Sequence, residues 1–345
     1  MTDRLFDRPL PLLQAPMAGV QGSALAIAVC NAGGLGALPA ATLGVQALAD
    51  EIKAIRAQTD APFNINFFCH SAPQPDETRE CGWRALLRPY HDELGLDPDA
   101  AAPGPSRAPF GEAAADVVEA LHPPVVSFHF GLPPAPLLER VRATGAKILS
   151  SATTLQEARW LEARGVDAVI AQGLEAGGHR GQFLSPDIAT QVGTFALLPQ
   201  VVKALRVPVI AAGGIADAAG VRAAMALGAA AVQVGTAYLL CPEASTSAVH
   251  RAALQSDEAL TTALTNLFTG RPARGIVNRL MRELGPMRDD LPAFPLAAPA
   301  LAPLRAAAEA RGSGDFSPLW AGQNTRGCKA VGAAELTREL ARGFA

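Results

Sequence analysis

Aromatic side chains make up only 5% of the 345 residues, and cysteine is scarce and scattered. Cys30, Cys69, Cys81, Cys241 and Cys328 are odd in number and never form a CxxC pair, which argues against a disulfide framework and against a zinc site. A reducing compartment suits that usage, so a cytoplasmic protein is expected. An excess of one charge is missing too: 29 Lys and Arg face 32 Asp and Glu, for a formal charge of -3. Nothing here draws the chain onto nucleic acid or anionic lipid, and a small-molecule partner is the default. The apolar stretch 220–240 is broken by Arg222, Gly228 and Gln233, so it reads as a helix followed by a strand and not as a membrane span. The opening MTDRLFDRP carries acids and no apolar core, against a secretory signal. HExxH, GxSxG and clustered carboxylates are absent, which removes support for metallohydrolase and serine-hydrolase chemistry, and no metal is expected. GGLG (33–36) lacks the spacing of a dinucleotide fingerprint.

What is present is aliphatic. Hydrophobic residues reach 49% with few aromatics, the composition of parallel strands covered by helices. Eight short β-type runs recur: LLQAPM (12–17), GLGALP (34–39), FNINFF (63–68), VVSFHF (125–130), AKILSSA (146–152), DAVIAQG (167–173), PVIAAGG (208–214) and AAVQVG (230–235). Helical stretches alternate with them, such as 155–165 entered from Thr154 and 217–227 entered from Asp217. An open doubly wound sheet shares that alternation, but eight runs suit a closed ring. The expected fold is therefore α/β, a (β/α)8 TIM barrel over 1–240. Two stretches exceed a bare barrel: 70–110, read as an extended β3–α3 insertion, and 241–345, read as a helical extension that packs on the barrel and returns to its mouth.

Active-site groups of such barrels stand at the carboxyl ends of strands. Glycines close two consecutive strands, in PVIAAGGI (208–215) and AVQVGTAY (231–238), where backbone N–H groups can approach an anion such as a phosphate. A plain tight βα turn is the bland alternative for Gly213 and Gly214. The polar loop QGLEAGGHRG (172–181) sets His179 among glycines, where an imidazole can exchange a proton near neutral pH. His129, closing VVSFHF, reads equally as a hydrogen-bonded core histidine or as a substrate ligand. Glu175 reads as a solvated or loop-anchoring carboxylate, and His70, His91, His122 and His250 read as surface residues.

QAPMAGVQG (14–22), AGGLGAL (32–38), NINFF (64–68), VVSFHFGLP (125–133), QGLEAGGHRG, PVIAAGGIAD (208–217), VQVGTAYL (232–239) and LWAGQ (319–323) together resemble the nitronate monooxygenases, formerly called 2-nitropropane dioxygenases. The resemblance covers nearly the whole chain. It implies an FMN-containing barrel that oxidises alkyl nitronates, including propionate 3-nitronate, and some nitroalkanes, with O2 to carbonyl products and nitrite or nitrate. It further implies that Met17, Asn66, Gln172, Gly177 and Gly178 lie at the flavin. Gly213, Gly214, Gln233, Val234, Gly235 and Thr236 would hold its ribityl phosphate, and His179, with His129 beside it, would serve the substrate. Trp320, Gly322 and Gln323 match the family's carboxyl-terminal motif. Some members place tyrosines in that region, whereas this chain has only Tyr90 and Tyr238 and offers Phe294, Phe316 and Trp320 instead, a departure that bears on substrate preference. The glycine turns and AGGH also occur in flavin-dependent enoyl reductases, so an NAD(P)H-driven quinone or enoyl-thioester reductase is the main alternative. A flavin-free phosphosugar enzyme and a non-catalytic carrier are weaker ones. A monomer or homodimer is expected.

Overall fold

The computed structural model describes residues 5–98 and 107–345. Its strands in chain order are β1 (Leu12–Gln14), β2 (Ala37–Pro39), β3 (Asn64–Phe68), β4 (Val125–His129), β5 (Lys147–Ala152), β6 (Ala168–Gln172), β7 (Gly178–His179), β8 (Val209–Ala212), β9 (Ala231–Val234), β10 (Thr262–Thr265) and β11 (Ala273–Ile276). Eight of these form one parallel sheet in the order β1-β9-β8-β6-β5-β4-β3-β2. A doubly wound sheet would reverse direction at a switch point, and this order never does. Leu35, just before β2, makes a parallel bridge to Leu13 of β1 and so joins the two edges. The fold is thus the expected (β/α)8 barrel, with every one of the eight runs supplying one strand.

Closure explains the unbroken apolar runs, since each strand is buried on two sides. Leu13, Leu35, Val125, Leu149, Ala168, Ile170, Ile210 and Ala231 fill the barrel interior. Leu12, Leu38, Ile65, Val126, Ile148, Val169, Ala211 and Val232 face outward and pack under the helices. Fully burying each such Leu, Ile or Val contributes about 1.5–3 kcal/mol, which is how a core so poor in aromatics suffices. Close approach of layers also fixes Gly36: a Cβ there would stand 2.1 Å from the carbonyl oxygen of Ala26 in the first barrel helix, Ser23–Asn31.

The helix Leu155–Glu162 begins where Thr154 accepts the N–H of Glu157 at 3.2 Å, and Ala218–Ala226 begins where Asp217 accepts that of Gly220 at 2.7 Å. Both end earlier than the pattern suggests, and the chain then reverses at Gly165 (φ +72°) and Gly228 (φ +95°).

The two stretches outside the bare barrel share a second core. Within the insertion the helix Glu77–Leu94 presents Trp83, Leu87 and Tyr90 to Leu267, Phe268, Leu280, Leu301, Leu304 and Phe316 of the carboxyl-terminal third. Trp83 Nε1 donates to Ala297 O at 3.0 Å, and Arg279 grips Glu93 through both oxygens at 2.7 Å each. Strands as well as helices occur in the stretch after 240: β10 and β11 form a hairpin, and β11 also pairs antiparallel with β7, matching Ala273 to His179 and Arg274 to Gly178. The loop expected after β6 is therefore drawn into a three-stranded sheet, and the carboxyl-terminal third reaches the barrel mouth through it.

Candidate functional site

The carboxyl ends of the strands surround one cavity that holds about 1400 Å³ of atom-free space with its open mouth included. Met17, Asn66, His129, Gln172, Gly177, Gly178, His179, Gly213, Gly214, Gln233, Gly235 and Thr236 all border it. Val234 does not: its side chain is packed in the outer core, and its carbonyl accepts the N–H of Ala15 at 2.8 Å.

One end of the cavity is made of backbone. Gly213 (φ +115°) and Gly214 (φ +73°) adopt the left-handed region that a side chain resists, and Gly235 with Thr236 stands beside them after the neighbouring strand. Gly322 N donates to Thr236 Oγ1 at 2.9 Å, and Asn324 Nδ2 donates to Gly214 O at 3.0 Å, so the carboxyl-terminal segment closes over both turns. Glu175 is a loop anchor, with its carboxylate accepting the N–H and hydroxyl of Thr194, each at 2.8 Å. Its carbonyl accepts the backbone N–H of Gln323 at 2.9 Å. Gln233 Oε1 is buried at the cavity wall with no partner among the described residues. Such an acceptor is costly unless a ligand donates to it.

The other end is built around His179. Its Nε2 lies 3.0 Å from Thr269 Oγ1, and its carbonyl accepts from Gln172 Nε2 at 3.0 Å and His129 Nε2 at 3.2 Å. Gln172 Oε1 accepts the N–H of Gly181 at 2.8 Å, so both ends of that amide hold the loop. His129 Nδ1 meets Ser151 Oγ at 3.0 Å, which commits both ring nitrogens. Of its two readings, the geometry favours the hydrogen-bonded core histidine, which positions its neighbour. Asn66 Nδ2 donates to Ser127 Oγ at 2.9 Å. Phe68, Phe294 and Trp320 close around the His179 ring at 6.1, 5.3 and 5.6 Å between centroids.

Burial sets the charge state. It pushes His179 well below the ordinary 6.5, helped by nearby Arg107, His129, Arg271 and His70, and pushes His129 to about 3. Both imidazoles are neutral at working pH.

Several buried polar positions were not marked by sequence. Arg180 is wholly buried, and its guanidinium donates to Gly173 O at 2.7 Å, Gln172 O at 2.8 Å and Gln191 Oε1 at 3.0 Å. Three histidines expected at the surface are buried: His70, His91 and His250. His91 turns into the second core because its helix packs there, and its Nδ1 lies 3.1 Å from Leu87 O. His70 stacks edge-on to Phe294, 4.8 Å between centroids. His250 borders the cavity because the helix Ala248–Gln255 lies against the mouth. His122 is exposed, in the left-handed conformation that ends the helix Glu112–Leu121.

Comparison with known proteins fits this arrangement. The profile of the family described as Nitronate monooxygenase matches residues 3–343. The chain belongs to the nitronate monooxygenase family. A Nitronate monooxygenase of Pseudomonas aeruginosa is 43% identical over 99% of this chain and 98% of its own. Among solved structures, nitroalkane oxidase from Streptomyces ansochromogenes superposes with a TM-score of 0.88 at 41% identity, covering 97% of this chain and 95% of that one. FabK from Thermotoga maritima follows at a TM-score of 0.71 and 26% identity, covering 98% and 94%. The protein is accordingly an oxidising enzyme of the monooxygenase type. Within the family frame, the glycine turns and the His179 loop face one shared cavity. Among the described residues no cluster of His, Cys, Asp or Glu could hold a metal, and no helix is long and apolar enough to cross a membrane.

Proposed function

We propose that this nitronate monooxygenase family member binds FMN and oxidises alkyl nitronates, such as propionate 3-nitronate, with O2 to carbonyl products and nitrite or nitrate. The observation that carries the cofactor is the pairing of two glycine turns with the unpartnered Gln233 Oε1 on one cavity wall. Gly213, Gly214, Gly235 and Thr236 would hold the phosphate, while Gln233, Met17, Asn66 and Gly177 would border the ring system. Bound there, FMN supplies the electron transfer and the reaction with oxygen.

The chain supplies binding, orientation and a dry site. Thr269 fixes the His179 ring through Nε2, which leaves Nδ1 for the ligand. His129 and Gln172 hold its backbone and are positioning residues. Burial keeps the His179 imidazole neutral, so it can accept a proton or share a hydrogen bond with the ligand. Nitronates have already lost their carbon-bound proton, and toward them the hydrogen bond suffices.

Anaerobic mixing tests this reading. A nitronate should bleach the bound flavin absorbance near ~450 nm, a band that belongs to the cofactor itself, while NADH leaves it unchanged. Rapid bleaching by NADH alone would establish the reductase alternative, and purified protein without the yellow chromophore after FMN addition would remove the flavin. His179→Asn should keep FMN and lose turnover; full activity on nitronates and nitroalkanes alike would show that His179 has no part in it.

A further inference from the structure

The helix Ala248–Gln255 turns one face inward, where Ala253 and Leu254 join Leu239, Leu240, Leu319 and Ala321 in an apolar cluster. His250 stands on that buried face and borders the cavity, 3% exposed, where a leucine would pack with no polar atom to satisfy. Its Nε2 is buried without a hydrogen-bond partner among the described residues. Neighbouring charges do not serve it. Glu309, which favours the charged ring, is held by Arg305 Nε at 2.8 Å and by Ser317 Oγ at 2.7 Å. Arg251 donates to the carbonyls of Leu240, Cys241, Ala244 and Thr246. The Trp320 backbone lies close enough to favour protonation but makes no hydrogen bond to Nε2. Burial outweighs these influences and pushes the pKa to about 4, so the ring is neutral and carries one N–H.

A buried polar atom with no partner is costly unless a ligand meets it. With nothing holding Nε2, the ring can turn about its Cβ–Cγ bond and present it to the cavity. A nitronate spreads its negative charge over both oxygens, and His179 Nδ1 serves one of them. Several other side-chain donors at the cavity are committed within the protein: Asn66 to Ser127, Gln172 to His179 O and Asn324 to Gly214 O, with both nitrogens of His129 engaged. Trp320 connects the two imidazoles, since its ring lies 5.6 Å from that of His179 between centroids and its backbone lies beside His250. We propose that His250 is a substrate-binding residue whose N–H donates to one nitronate oxygen while His179 takes the other. This rests on the nitronate reading of the site and adds a residue for the reacting group.

The test follows anaerobic reduction of bound FMN by propyl-1-nitronate in wild type, His250→Leu and His250→Gln, because stopped flow separates the nitronate Kd from the limiting reduction rate. Reduction in the wild type reports on the nitronate reading alone; if it does not occur, that reading has failed and this inference with it. Given reduction, His250→Leu should raise Kd by about tenfold to a hundredfold, as expected for one lost hydrogen bond to an anion, and leave the limiting rate within about threefold. His250→Gln keeps an amide N–H near the place of Nε2 and should hold Kd within about threefold of wild type. Two further readings do not depend on turnover. His250→Leu should melt no lower than wild type, because it removes an unpartnered atom, and should bind FMN within about twofold of wild type in fluorescence titration. An unchanged nitronate Kd in His250→Leu would overturn the assignment while leaving the nitronate reading intact. So would a loss of FMN affinity of about tenfold, which would place His250 at the cofactor. A weaker Kd that glutamine does not recover, together with a lower melting temperature, would make His250 a packing residue and overturn the proposal as well.

Discussion

Replacing Arg180 by Met keeps most of the volume and removes one buried charge that ties the His179 loop to the end of β6. Three hydrogen bonds of 2.7–3.0 Å disappear. Charge-assisted bonds are worth about 1.5–3 kcal/mol each, but part of that gross gain offsets the several kcal/mol needed to bury the guanidinium. Burial lowers the Arg180 pKa to about 10, so the group is still charged at neutral pH and its desolvation is a real cost in the native protein. What remains after Arg180→Met are acceptors on Gln172, Gly173 and Gln191 with a partner missing. Each buried neutral acceptor left without a donor costs about 1–3 kcal/mol, partly offset by removal of the buried charge, so a net loss of about 3–5 kcal/mol is expected, and at roughly 2 °C per kcal/mol for a chain of this size the Tm should fall by about 6–10 °C. Differential scanning calorimetry of the FMN-loaded protein measures this. Turnover should fall as well, because Gln172 also holds the His179 carbonyl. Arg180→Lys should restore only part, since an ammonium cannot match a fork aimed at three acceptors. A Tm within about 2 °C of wild type for Arg180→Met would refute the claim that this network holds the loop.

Acid should destabilise the fold earlier than its carboxylates alone would dictate. His70 and His250 are pushed by burial to about 4 and His129 to about 3, while the unfolded chain takes up these protons near 6.5. The unfolded state therefore binds more protons between those values, so stability is full above about pH 6.5 and is lost as pH falls below it, by up to about 1.4 kcal/mol per pH unit for each histidine. Urea unfolding at pH 7, 6 and 5 checks this, and a flat response would contradict it. Gly177→Ala puts a Cβ 2.5 Å from Gly322 N and 2.6 Å from Ala321 C, both backbone, so the loop must part from the carboxyl-terminal segment. The expected cost is about 1–3 kcal/mol, with weaker retention of FMN on gel filtration; an unchanged melt would show that the contact is slack. Gln233→Leu should leave the FMN-free protein as stable or more so, since it removes an unpartnered acceptor, yet weaken FMN by about fivefold to tenfold in fluorescence titration. Loss of stability without loss of affinity would refute the ligand role of Gln233.

The barrel was readable because a parallel strand buried on two sides leaves an apolar run with a polar or glycine residue at its end. β3, for instance, is wholly buried along NINFF, and its neighbour β4 ends at His129, where the cavity begins. The stretch after 240 was less readable. Thr262–Thr265 is only partly buried and becomes a strand through pairing with Ala273–Ile276, a partner that its own short pattern does not announce. The two residues of β7 are a strand only because β11 lies beside them. Strand pairing of this kind is a property of two segments, and neither one carries the period that would reveal it.

The same division runs through the site. Positions defined by backbone shape, such as Gly213 and Gly214, were legible because few residues other than glycine tolerate their φ values. Positions defined by what faces them were not. Arg180 looks in sequence like any isolated arginine, yet it finds three acceptors. His129 and His250 likewise differ only in surroundings: His129 has both nitrogens engaged, whereas His250 Nε2 is buried at the mouth without a partner among the described residues. The end proposed for the cofactor is thus written in residue types, because a phosphate there would be bound by backbone that only certain residues permit. The end proposed for the substrate is written in contacts between the insertion, the His179 loop and the carboxyl-terminal third, so substrate preference would be able to change there while the glycine turns and the barrel stay as they are.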